Sequence, residues 1–334
     1  MEAQADFARA SLRTSTYRQY SRLWGRFADL ATARGVPCLP VSPHNFEMLL
    51  CDFAAASASA SSSQKLVAAV AFFHRYHGFE PPASAARGRL ILRGIARTFA
   101  KPVKRAPPLS ACIVRSAIYY QIGSDLEKTT YFSVPLITWR AVAQLVVSFS
   151  ALARHHCLTN ISVSDLAFFN DGVRLTFWRT KTDAMNQGQS VFLAPVPTSF
   201  ACPVRFLRAY VLRLQWEAFM GGLELPYSGP LFPALTATRG SASGRSSLPA
   251  NPAPFSKQAA TISMRLHLRH LGVPNFNEFT LHSGRRGGAT AAALSGCDFL
   301  SIKRQGRWVS DSCPQVYIDE AATMQSTFST FLGL

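Results

Sequence analysis

The stretch Leu281 to Gly296, LHSGRRGGATAAALSG, sets a histidine three residues ahead of an arginine, adds a Gly-Gly pair and runs into an alanine-rich helix former. Glycines ahead of a helix often cradle phosphate, because backbone amides and the positive end of the helix dipole face the anion. This run is not a nucleotide loop, since it has neither Gly-x-x-x-x-Gly-Lys-Ser/Thr nor Gly-x-Gly-x-x-Gly spacing. Nor does His282-x-x-Arg285 decide anything alone. A chain of 334 residues this rich in arginine holds such a pair about once by chance. Its meaning depends on what stands elsewhere.

At 48% hydrophobic and 16% charged residues the chain reads as globular, and its length suffices for two domains with separate cores. The formal charge of +17 is the outlier, and arginine supplies far more of it than lysine. The guanidinium is a planar donor fork that matches phosphate, so the bias points to a nucleic-acid backbone as partner. Seven scattered cysteines without a Cys-x-x-Cys give neither a zinc site nor a disulfide framework. Nothing at the N-terminus resembles a signal peptide, and no apolar run approaches the roughly 20 residues needed to span a bilayer. An intracellular protein without a membrane partner is expected.

Four amphipathic helices are predicted in the first hundred residues. The first carries Tyr17, Tyr20, Leu23, Trp24, Phe27 and Leu30 on one face, and the second carries Phe46, Leu49, Leu50 and Phe53. The third spans about Gln64 to Tyr76, after an Ala/Ser run read as an interhelix loop. The fourth puts Leu92, Ile95 and Phe99 on one side and Arg89, Arg93 and Arg97 on another. Three like charges on one stripe repel unless an anion lies against them. Lys101, Lys104 and Arg105 extend the positive surface into a Pro-containing linker, so these six residues are the expected DNA contacts.

Past the linker, Leu136 to Leu152 predict a strongly apolar helix that runs into Arg154. The period then changes: LAFF, an Asn-Asp-Gly turn at 170 to 172, VRLTFW and the segment through SVFL predict a small antiparallel sheet. Helix returns at Val204 to Met220, and residues 221–254, rich in Gly, Pro and Ser, read as a long loop. Further helices are expected near 255–270, 284–294, 298–305 and 314–328.

Arg154, Lys181, His282-x-x-Arg285, Trp308 and Tyr317 stand in the order found in the tyrosine recombinases, and the chain resembles that family, which includes the lambda and Xer integrases, Cre and Flp. Trp308 follows Arg285 by 23 residues and Tyr317 follows Trp308 by 9, the family's usual C-terminal spacing. HSGRRGGATAAALSG with GRWVS looks most like recombinases of eukaryotic mobile elements, of the Crypton and DIRS kind. One departure is Cys157, three residues after Arg154, where the family commonly carries Glu or Asp.

The resemblance implies a mainly α protein: a helical, SAM-like core-binding domain at 1–100, a basic linker at 101–108, and an α+β catalytic domain with a small antiparallel sheet at 109–334. It also implies a C-terminal helix near 318–330 that docks on a neighbouring protomer. The activity implied is site-specific cleavage and rejoining of double-stranded DNA by a homo-tetramer on two sites, through a 3′-phosphotyrosyl intermediate and a Holliday junction. That fits a mobile element and a DNA-associated location, in nucleus or nucleoid according to the host.

The chemistry suits the residues. Attack on a phosphodiester needs a nucleophile, an acid for the leaving oxygen and positive charge on the non-bridging oxygens. Tyr317 supplies the nucleophile, Arg154 and Arg285 the clamp, Lys181 the proton for the departing 5′ oxygen, and His282 a base for the tyrosine proton. Trp308, where many members carry His, offers an indole N–H and a ring to buttress the site. The phosphotyrosyl bond conserves the ester's energy, so neither a nucleotide cofactor nor a metal is called for. Two rivals are a type IB topoisomerase-like enzyme and a catalytically weak or silent DNA-binding protein domesticated from a recombinase.

Overall fold

The computed structural model describes residues 6, 9–82, 86–102, 105–126, 133–178, 180, 183, 185–237 and 246–324. The chain forms two compact units, 1–104 and 105–334, so the boundary falls inside the basic stretch.

The first unit is built from α1 (Thr14–Ala33), α2 (Pro43–Ser57), α3 (Ala60–Tyr76) and α4 (Ala86–Thr98). Ser42 caps α2 by accepting a hydrogen bond from the Asn45 amide, with Pro43 in the first turn, and Ser59 caps α3 from the Ser62 amide. The Ala/Ser run is therefore not a loop. Alanine's helix preference carries both helices into it, and only Ala58 (φ 45°) and Ser59 break them. Phe27, Phe46, Leu49, Leu50, Phe53, Leu66, Val70 and Ile95 form the core.

The second unit is organised around α6 (Leu136–Ser150), which is buried on nearly all sides. Around it pack α5 (Ala111–Gln121), α8 (Pro203–Met220), α9 (Lys257–His270) and α10 (Ser283–Leu294). Between α6 and α8 come the short α7 (His155–Asn160) and an antiparallel sheet of β1 (Leu166–Phe169), β2 (Gly172–Phe177) and β3 (Gln189–Leu193) in the order β1-β2-β3. The expected Asn-Asp-Gly turn closes the first hairpin, with Phe169 opposite Gly172. Val173, Leu175 and Phe177 of β2 and Val191 and Leu193 of β3 face the core. The fold is thus mainly α with a small antiparallel sheet.

The described residues of 221–254 are less loose than their composition suggests. Tyr227, Leu231, Phe232 and Leu248 are buried, the Tyr210 hydroxyl donates to the Leu231 carbonyl, and β4 (Thr236–Ala237) pairs with β5 (Ser246–Ser247). Apolar anchors spaced without period hold the segment to the core, which a periodicity argument does not register.

The glycines of the opening stretch decide how α10 sits. A Cβ on Gly284 would lie 2.1 Å from the Ser148 hydroxyl oxygen, and one on Gly288 would lie 2.0 Å from the Phe149 carbonyl oxygen. One on Gly287 would lie 1.8 Å from the Leu109 carbonyl oxygen. Gly284 and Gly288, one turn apart, bring α10 into backbone contact with α6, while Gly287 admits the backbone of the segment that opens the unit. After α10 come α11 (Phe299–Gly306) and α12 (Ser312–Met324). Tyr317 lies within α12, which begins two residues before the helix expected at 314–328. Of the expected docking helix, residues 325–330 lie outside the described residues, while Ile318 and Ala321 pack onto their own unit. No helix among the described residues is long and apolar enough to cross a membrane.

Candidate functional site

Arg154 does not end the apolar helix. α6 stops at Ser150, and a turn through Leu152 (φ 46°) leads to Arg154 at the N-terminus of α7. Ala151, Leu152 and Ala153 are buried, so this turn is fixed from below while the arginine is half-buried. Its carbonyl accepts from the Cys157 and Leu158 amides, and among the described residues its guanidinium has no hydrogen-bond or ion-pair partner.

Arg285, in the first turn of α10, is 2% exposed. Its Nη1 donates to the Leu152 carbonyl and its Nη2 to the Gly306 carbonyl at 2.6 Å. These bonds commit part of the donor fork to orienting the guanidinium and leave the rest for a ligand. Burial, with Arg154 and Arg307 alongside, pulls Arg285 below the ordinary arginine range, so an anion placed there would relieve it. The neighbouring Arg286 faces elsewhere: it forms an ion pair with Glu320 of α12.

Trp308 is buried with its ring 4.0 Å from the Arg285 guanidinium carbon and 5.5 Å from the Tyr317 ring. The indole thus touches both the clamp and the candidate nucleophile. Gly306 makes room for it, since a Cβ there would lie 1.8 Å from the ring. His282 sits exposed at the rim. Partial burial of its ring, then the positive charges of Arg285, Arg154 and Lys257, lower its pKa, which favours the neutral, proton-accepting form.

Five of the expected residues therefore converge: Arg154, His282, Arg285, Trp308 and Tyr317. Lys181 lies outside the described residues. Of the expected DNA contacts, Arg89, Arg93, Arg97, Lys101 and Arg105 are exposed in their respective units, and Lys104 lies outside the described residues. Another arginine stripe, Arg18, Arg22 and Arg26 on α1, is equally exposed, and its i, i+4, i+8 spacing was the available signal.

Arg307 is the site residue that motif spacing missed. It ends α11 in the left-handed region (φ 52°), a position usually given to glycine, and its side chain turns inward. Its Nη1 donates to the Ala151 carbonyl at 3.1 Å and its Nη2 to the Leu152 carbonyl at 3.4 Å, with the Phe177 ring 4.4 Å away. Burial lowers its pKa, and the buried Cys157 acts on it in the opposite direction. Three guanidinia, Arg154, Arg285 and Arg307, thus share one site. No carboxylate among the described residues pairs with any of them, and such an arrangement calls for an anionic ligand.

Comparison with solved structures concerns the fold. XerH site-specific recombinase, bound to palindromic difH substrate in a post-cleavage complex, superposes with a TM-score of 0.55 at 10% identity, over 88% of this chain and 73% of that one. The Tn1549 transposon integrase in complex with transposon right end DNA gives 0.56 at 12% identity, over 94% and 93%. A lambda integrase dimer bound to a COC′ core site gives 0.53 at 13%, over 96% and 95%. The fold is that of the tyrosine recombinases. In sequence the chain is 26% identical over 314 residues to the integrase/recombinase xerD homolog of Selenomonas ruminantium, covering 92% of this chain and 82% of that protein. The chain therefore shares the fold of the tyrosine recombinases and is similar in sequence to an integrase/recombinase. No protein-family model matches the chain.

Proposed function

We propose that this protein is a site-specific DNA recombinase that cuts and rejoins duplex DNA through a covalent bond to Tyr317. The observation that carries the reading is the convergence of Arg154, Arg285 and Arg307, without a paired carboxylate, beside a histidine whose pKa is lowered and a tyrosine whose ring lies 5.5 Å from the Trp308 ring. The Tyr317 oxygen attacks the scissile phosphorus while His282 takes its proton. Arg154 and Arg285 hold the non-bridging oxygens as charge builds on them. The P–O bond to the 5′ oxygen breaks, and Lys181 protonates that oxygen. A 5′ hydroxyl then reverses the step, so the number of ester bonds is conserved and no metal or nucleotide takes part.

The exposed arginines of the first unit suit sequence-independent phosphate contact. DNA in the bound structures of XerH, the Tn1549 integrase and lambda integrase supports duplex DNA as the partner. Strand exchange would use a tetramer on two sites and pass through a Holliday junction, in the service of a mobile element.

The test is a nicked suicide duplex bearing a site recovered by binding selection. Wild-type protein is expected to form a covalent adduct and Tyr317→Phe none; an adduct in the mutant rejects Tyr317. Relaxation of supercoils by monomer without strand exchange would favour a topoisomerase, and binding without any adduct would favour a silent DNA-binding protein. A substrate with sulfur at the 5′ bridging position should rescue Lys181→Ala, because a thiolate departs without a proton; no rescue assigns the acid elsewhere.

A further inference from the structure

Arg286 follows the clamp residue Arg285 directly but takes no part in the anion site. Its Nε donates to Glu320 Oε2 at 3.0 Å and its Nη2 to Glu320 Oε1, a bidentate pair. Its Nη1 donates to the carbonyl of Ala106. Side-chain exposures of 14% and 23% make this more than a surface pair. Glu320 lies on α12 one turn beyond Tyr317, so one guanidinium grips both the nucleophile helix and the segment that enters the unit.

That segment is built to transmit a pull. Arg105 is exposed immediately before Ala106, Pro107 and Pro108 stiffen the chain after it, and the Leu109 amide donates to the Ser283 carbonyl at 2.9 Å. Gly287 then takes the Leu109 backbone against α10. A phosphate bound at Arg105 would act on Ala106, one peptide away, and through Arg286 on Glu320.

We infer that Arg286 is a positioning residue that ties the entry segment at Ala106 to the helix carrying Tyr317, so that DNA engagement beside Ala106 sets the placement of the nucleophile. This rests on the reading of Tyr317 as nucleophile. Misplacing a reacting oxygen by about 1 Å costs on the order of 100-fold in rate.

The experiment compares wild type, Arg286→Gln, Glu320→Gln and the double variant. One measurement is amide exchange over residues 312–321 with and without duplex DNA, and the other is the single-turnover rate of adduct formation on the nicked duplex. Wild type should show DNA-dependent exchange in α12, and both single variants should lose that dependence. Adduct formation in them should slow on the order of 10- to 100-fold with binding retained. The double variant should be no worse than either single one, because each removes the same pair. DNA-dependent exchange unchanged in Arg286→Gln, or additive rate losses, would overturn the inference. Absence of an adduct in wild type would instead reject the catalytic reading, while the exchange data would still judge the tie. Should Arg286→Gln fail to fold, Glu320→Gln, which keeps side-chain shape, decides by the same measurements.

Discussion

The Trp308 ring lies 4.0 Å from the Arg285 guanidinium carbon and 5.5 Å from the Tyr317 ring, so one aromatic side chain fixes the spacing between clamp and nucleophile. Trp308→Phe keeps a ring there and should retain most cleavage. Trp308→Ala opens a cavity among Leu152, Ala289 and Ile302 and should cost about 3–5 kcal/mol in urea unfolding, with adduct formation lost even where the protein stays folded. Equal cleavage by both variants would show that the ring does not set the geometry.

Arg307 separates charge from backbone. Its φ of 52° favours glycine, so Arg307→Gly relieves the backbone while deleting one of the three guanidinia. Sulfate should raise the Tm of the DNA-free wild type by binding this cluster, and the rise should shrink in Arg307→Gly. Adduct formation should fall in the same variant. An identical sulfate response in both proteins would remove Arg307 from the anion site.

Most of this site was legible because its residues keep fixed distances along the chain. Arg285, Trp308 and Tyr317 occupy one compact run of helices, where spacing in sequence nearly sets spacing in space. Arg154 was also legible, although its structural context was not: the left-handed turn at Leu152 moves it from the end of α6 to the start of α7. Arg307 was not legible, since an arginine beside a tryptophan reveals nothing until the chain is known to turn left-handed there. The Arg286–Glu320 pair depends on how α10 and α12 cross, and no local pattern encodes that crossing. The Ala/Ser run misled for the opposite reason, because polar composition suggested a loop where alanine propensity and the Ser59 cap made helix.

His282 should leave its mark on the pH profile. Its pKa is lowered by partial burial and by neighbouring positive charge, so the ring is neutral at pH 7. Adduct formation at subsaturating DNA should stay level from pH 8 downward and decline only below the ordinary histidine value of about 6.5. His282→Gln should be slower throughout and lack that acid limb. An unchanged limb in the variant would assign the titration to another group.

Stability should fall in the same pH range for a different reason, located at His267. This ring is buried, its Nδ1 lies 2.7 Å from Gln121 Oε1, and burial, with His270 and Arg140 nearby, pushes its pKa down to about 4. The unfolded chain takes up a proton near pH 6.5 where the folded one does not, so protonation favours unfolding. The contribution is fully present above about pH 6.5 and is lost as the pH falls to about 4, amounting to roughly 3 kcal/mol. His267→Asn places an amide nitrogen near Nδ1 without a titrating group. Its urea stability should therefore decline less than that of wild type between pH 6.5 and 4, whereas parallel curves would mean that His267 takes up its proton in the folded state as readily as in the unfolded chain.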